Sequence, residues 1–254
     1  PARRMTWLLD LGNSRLKAAR WLPGGGLGEV QAWAHAASDF PASLQPWLAG
    51  LAPGETCWLA SVASPEVTAT VAAQLAGAGH PARRARTLPE LAGVRIAYAE
   101  PSRLGVDRFL ALLAARARGA GPWLLVSAGS ALTVDLLDAG GQHRGGVIAP
   151  SPEHMCAALA ARFPALAYAG GEAHAFATDT ADALASGSLG AAAGLVERCQ
   201  REATRLLGVA PTVLLGGGGG ERLRQLLGPD VEPAPTLVLE GLAVYATLAG
   251  SEDQ

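Results

Sequence analysis

The chain has 254 residues, half of them hydrophobic, enough for one large domain or two smaller ones with separate cores. Charged residues make up 17% and the formal net charge is -2, so no basic face argues for nucleic acid or an acidic membrane as a partner. No apolar run approaches the roughly 20 residues of a membrane-spanning helix, residues 1–5 lack the apolar core of a secretory signal, and Cys57, Cys156 and Cys199 are too scattered for a disulfide or zinc framework, which together fit a reducing cytoplasm.

In chain order, residues 5–11 and 16–22 are short apolar runs separated by Gly12-Asn13-Ser14, the pattern of a β-hairpin with a polar bend. Pro23-Gly24-Gly25-Gly26 marks a second turn, and 27–34 a third strand. Helices are predicted at 38–51 and 65–77, with a strand at 56–62 between them; Pro65 suits a first helical turn. A short strand at 94–97 precedes a helix at 106–118 that ends in arginines, where cations are favoured. Gly119-Ala120-Gly121-Pro122 reads as a linker.

After the linker the pattern restarts. Strands are predicted at 123–126 and 132–137 around a Gly129-Ser130 turn, and a third ends near Ile148. Helices follow at 152–162 and about 179–207, then a strand at 212–215 running into five glycines, 216–220, and two closing helices. The turn motif that starts at Asp10 recurs at Ser127, 117 positions on, as a duplicated α/β domain would show. The expected division is 1–118 and 119–254; two unrelated α/β domains would give the same pattern.

The first motif is Asp10-Leu11-Gly12-Asn13-Ser14-Arg15-Leu16-Lys17. A glycine bend lets backbone approach a phosphate, and the Asn13 amide, Ser14 hydroxyl and Lys17 ammonium can all donate to its oxygens. Asp10 suits Mg²⁺ held through water. Lys17 is the only lysine in a chain that otherwise uses arginine, consistent with a need for a compact ammonium there. A plain hairpin whose Asp and Asn stabilise the turn fits the same residues. No Walker loop is present, and Glu221 stands where a dinucleotide fingerprint needs its third glycine. The second motif, Ser127-Ala128-Gly129-Ser130, would grip phosphates likewise. The five glycines could lie against an adenosine or form a flexible loop.

These motifs resemble the acetate and sugar kinase, heat-shock chaperone and actin superfamily, and within it the type III pantothenate kinases. The resemblance rests on Asp10 to Lys17, Gly105-Val106-Asp107-Arg108, Gly145-Gly146-Val147-Ile148-Ala149-Pro150, Asp179-Thr180 with Ala183 and Gly187, and Leu239-Glu240-Gly241-Leu242, in the family's order from residue 5 to about 248. It implies two tandem ribonuclease H-like α/β domains with a nucleotide cleft between them. It also implies a cytoplasmic homodimeric enzyme that phosphorylates pantothenate with ATP and Mg²⁺. Asp107 would be the catalytic base; without the resemblance it reads first as a helix N-terminal carboxylate favoured by the dipole. Residues Asp10 to Lys17 and Ser130 would hold ATP, and Tyr98, Gly105, Val106, Asp107, Arg108 and Thr180 would line the pantothenate site. Ser127 stands where the family carries the Asp that holds a monovalent cation, K⁺ or NH₄⁺, which puts that site in question. Ser130 replaces Thr and keeps the hydroxyl; Ser151 replaces a Gly after Pro150. A non-catalytic nucleotide-binding regulator on the same scaffold is the alternative, against which the presence of Asp10, Lys17, Asp107 and Arg108 counts.

Overall fold

The computed structural model describes residues 6–22, 24–166 and 170–249. The expectations for residues 1–5 and for Pro23 in the second turn fall outside them. The chain divides into two compact units: Pro1–Gly119 with Thr236–Gln254, and Ala120–Pro235. The second unit starts at Ala120. The end of the chain is not part of that unit, because the last helix packs on the first.

In the first unit, β1 (Thr6–Leu11) pairs antiparallel with β2 (Arg15–Trp21) and parallel with β4 (Thr56–Ser61). With β3 (Gln31–Ala34) and β5 (Ala82–Arg84) they form a five-stranded sheet ordered β3-β2-β1-β4-β5. Alternation along β1 and β2 sends Trp7, Leu9, Leu11, Leu16 and Ala18 into one apolar cluster with Phe40, Trp47, Val71 and Leu75. The predicted helix over 38–51 is instead two short ones, α1 (Phe40–Ser43) and α2 (Gln45–Leu48), each with a proline in its first turn. Pro46 has no N–H to give to a continuous helix and its ring would clash one turn back. α3 (Pro65–Gly77) runs as predicted, its N–H groups capped where Val67 N–H donates to Ser64 Oγ at 3.4 Å. A two-stranded ribbon, β6 (Glu90–Leu91) and β7 (Val94–Arg95), turns through Ala92 and Gly93, both at positive φ.

α4 (Val106–Arg118) follows and packs along α8 (Leu237–Ala249). The contact depends on Gly241: a Cβ there would be driven into the backbone carbonyl of Leu110, so only glycine lets the two helices approach this closely. Arg118 and Glu240 close the same seam with a 2.8 Å ion pair. Gly241 and Glu240 belong to the Leu-Glu-Gly-Leu motif read from the sequence. Its physical content is the docking of α8 onto α4, the helix that begins with Asp107 and Arg108.

The second unit repeats the plan. β8 (Trp123–Ala128), β9 (Ala131–Leu137), β10 (His143–Pro150), β11 (Thr212–Gly216) and β12 (Val231–Pro233) are ordered β10-β9-β8-β11-β12. Both sheets thus have the ribonuclease H-like order, three antiparallel strands and then two parallel ones. Asp10 and Ser127 each occupy the fifth residue of their unit's first strand. His143 Nε2 and Asp135 Oδ1, both wholly buried, lie 3.0 Å apart and pin β10 to β9 beside a bulge. α5 (Pro152–Arg162), α6 (Thr180–Leu207) and α7 (Gly220–Leu227) complete the unit. Asp179 Oδ1 caps α6 by accepting from Asp182 N–H at 3.0 Å, and Gly208 ends it in the left-handed region.

Candidate active site

In the first unit the predicted phosphate motif is a tight hairpin end. Gly12 N–H donates to the Arg15 carbonyl at 3.0 Å, leaving Asn13 and Ser14 exposed at the tip. Asp10 and Lys17 sit directly opposite each other across the two strands. Leu11 and Leu16, also in the motif, have fully buried side chains in the core; only their backbone is placed to meet a ligand.

His35 is a member of this site that the sequence did not reveal. Its Nε2 lies 2.9 Å from the Gly12 carbonyl, which can only accept, so Nε2 carries the proton. Its backbone N–H donates to the Ser14 carbonyl at 3.3 Å. One residue thus braces both sides of the bend. Nothing in the residues neighbouring His35 in sequence marks it; its role comes from strand pairing alone.

Asp107 enters from the first turn of α4, one residue past Val106, whose side chain is buried. Asp107 Oδ1 accepts from Arg108 N–H at 2.8 Å, a carboxylate folded back on the helix start. That rotamer requires Gly105: a Cβ there would fall 2.6 Å from Oδ1. Thr87 Oγ1 donates to the Leu104 carbonyl at 2.8 Å and holds the approach to the turn. Arg108 is buried and its Nη1 donates to the Tyr98 hydroxyl at 3.3 Å.

Electrostatics join these pieces. Asp10 is pushed up to about 6, mainly by burial; Lys17 opposes the rise and Asp107 adds to it through like charge. Asp10, Lys17 and Asp107 are therefore one coupled group, formed by a strand, its hairpin partner and a helix start. Strongly perturbed carboxylates of this kind cluster at functional sites. Among the described residues no three His, Cys, Asp or Glu side chains form a ready-made metal cage. Two carboxylates near enough to repel each other suit a hard cation that keeps most of its water and takes further oxygens from a nucleotide.

In the second unit, Gly129 N–H donates to the Ala131 carbonyl at 3.0 Å, closing the turn that carries Ser130. Ser127 is exposed, opposite Thr133 on one side and Gly216 on the other. The five glycines are not simply a loose loop. A Cβ at Gly216 would lie 2.7 Å from the Ala234 carbonyl, and one at Gly217, at φ +90°, would strike the Ala128 backbone. Gly219 N–H donates to the Ala128 carbonyl at 2.9 Å, tying the run to the Ser130 turn. Only Gly218 is exposed with open space around it. Thr180 is exposed at the first position of α6. Ser151, uninterpretable from the sequence, is the buried N-cap of α5, where it accepts from His154 N–H at 3.3 Å.

A doubled ribonuclease H-like sheet with a tight hairpin end in each half defines the class: the sugar kinase and actin type of fold. Solved structures agree on the fold. A Baf family protein from Campylobacter jejuni superposes with a TM-score of 0.61 at 17% identity, over 96% of this chain and 99% of that one. An activator of 2-hydroxyisocaproyl-CoA dehydratase from Clostridium difficile, with bound ADPNP, gives 0.51 at 11%, over 98% and 97%. The family is narrower. Residues 7–202 match the model for type III pantothenate kinase. A type III pantothenate kinase of Stenotrophomonas maltophilia is 52% identical over 94% of this chain and 96% of its own. One from Xanthomonas euvesicatoria is 50% identical over 96% and 98%. The chain belongs to the type III pantothenate kinase family.

Proposed function

We propose that this protein transfers the γ-phosphoryl group of ATP to the terminal hydroxyl of pantothenate, giving ADP and 4′-phosphopantothenate. The observation that carries the reading is the coupled Asp10–Lys17–Asp107 group at the end of a hairpin, in a chain of this family. The hydroxyl oxygen forms a bond to the γ-phosphorus as the bond to the β,γ-bridging oxygen breaks. Asp107 accepts the hydroxyl proton as the new bond forms. Lys17 and the amides of Asn13 and Ser14 donate to phosphate oxygens, in a bend held in place by His35. Arg108, steadied by Tyr98, receives the pantothenate carboxylate in a two-pronged grip. Asp10 would hold Mg²⁺ through water, and the ion when bound would offset the charge of the phosphates. Ser130 contributes a hydroxyl to the nucleotide and Thr180 one to pantothenate. The working form is a cytoplasmic homodimer, which light scattering on the purified protein tests.

Asp107→Asn keeps the side chain's size and removes its basicity. It lowers kcat by roughly 10²–10⁴ with pantothenate binding retained. Turnover within a few-fold of the parent, in a coupled ADP-release assay, would rule Asp107 out as the base.

A further inference from the structure

The first sheet carries a second feature, at the end away from the phosphate hairpin. Trp7 and Arg20 face each other three residue pairs from Asp10 and Lys17, about 10 Å along the strands. Here a groove of about 560 Å³ is walled by Trp7, Arg20, Glu29, Trp33, Pro46 and Trp47. Its volume is in the range of small-molecule sites. Trp7 meets Trp47 edge to face at 5.2 Å, and Trp33 lies 5.4 Å from Trp47 at a tilt.

The polar groups of this groove are unevenly served. Trp7 Nε1 donates to Glu55 Oε2 at 3.0 Å, and Arg20 Nη2 pairs with Glu55 Oε1 at 3.1 Å. Arg20 Nε and Trp47 Nε1 are both buried and have no acceptor among the described residues. Buried N–H groups in folded proteins almost always have one. Both residues line this groove, so an acceptor entering it can serve these donors once the side chains turn. The Arg20 side chain is 37% exposed, so it can turn Nε toward an acceptor while staying close to Glu55.

Charge narrows the occupant. The Arg20 cation is already matched by Glu55, and Glu29 stands exposed on the rim, so an anion meets no net positive field. A cation is disfavoured too, because the Arg20 guanidinium already occupies the Trp7 face at 5.1 Å. We propose that the groove binds a neutral planar heteroaromatic molecule, its ring against the partly exposed Trp33 and acceptors on its edge meeting Arg20 and Trp47. This site is separate from the phosphate hairpin and does not depend on the kinase reading.

The test titrates the full chain with three probes by calorimetry and by tryptophan emission. Nicotinamide is neutral, planar and rich in acceptors; nicotinate adds a charge; cyclohexanecarboxamide removes the flat ring. Saturable binding of nicotinamide is expected, several-fold tighter than either control, and unchanged by saturating ATP. Arg20→Lys keeps the pairing with Glu55 but deletes the Nε donor, and Trp47→Phe deletes the indole donor. Each lowers nicotinamide affinity by about 3- to 10-fold. Circular dichroism checks that both variants fold, and Arg20→Lys decides alone if Trp47→Phe does not. No saturation by about 10 mM, equal binding of nicotinate, displacement by ATP, or affinity indifferent to Arg20→Lys would each overturn the proposal.

Discussion

At neutral pH Asp10 has to carry its charge where burial and Asp107 both resist it. Its carboxyl sits at about 6 in the folded chain against 3.8 in the open one. The folded state therefore binds a proton that the unfolded state does not between those values, and stability falls as pH rises through that window. Asp10→Asn removes the unfavourable charge. It is expected to raise unfolding free energy at pH 7.5 by about 1–3 kcal/mol, with the gain shrinking to nothing below about pH 4, while abolishing Mg²⁺-dependent turnover. Urea titrations of parent and variant across pH check the stability half; a variant no more stable at pH 7.5 would contradict the burial argument. Ser127 is the opposite case. It holds Asp10's position in the second sheet but is exposed and uncharged. A hydroxyl offers a monovalent ion an oxygen without Coulomb attraction. Turnover in buffer free of K⁺ and NH₄⁺ should rise less than tenfold when K⁺ is restored at constant ionic strength, and Ser127→Asp should strengthen the response. Asp10 and Lys17 stood out in the sequence by residue type within one turn motif, whereas Asp107 and Arg108 were singled out through the family resemblance. His35 and Ser151 were not legible, since each acts only through where the fold puts one polar atom.

Elements were legible where one local rule decided them. Pro65 and Ser64 mark α3, and the arginine-ended apolar run marks α4. Strands β5, β6 and β12, two or three residues each, carry no readable alternation and exist through their neighbours' pairing. The 38–51 stretch failed because its apolar content was read ahead of Pro46. The most consequential element contact is α4 with α8, where Gly241 meets the Leu110 carbonyl. The obstacle is backbone, which cannot rotate away, so Gly241→Ala must part the helices. It is expected to cost about 2 kcal/mol or more of stability and to lower kcat, because α4 carries Asp107. Gly187, a helical glycine with open space around it, is the control. Gly187→Ala should leave thermal stability equal or slightly raised. Equal melting points for parent and Gly241→Ala would mean the close approach is not required.

Across the whole molecule, the repeat from Asp10 to Ser127 announced a duplication, and the two matching strand orders bear it out. The course of the last helix was hidden, since nothing in 237–249 names its partner far upstream. Leu237, Leu239, Leu242 and Tyr245 are buried, and Tyr245 rings meet Trp58 and Phe109 at 5.6 and 6.5 Å. The first unit is thus built from both ends of the chain, with the second spliced into its middle. On the ribosome this inverts the usual order of maturation. Residues 1–119 emerge first yet lack one wall of their core until residue 249 has been made, while 120–235 already has every strand of its own sheet. Nascent chains arrested after Pro235 should therefore yield a protease-resistant fragment from the second half and a digestible first half. Resistance of both halves at that length would show that the first unit matures without its closing helix.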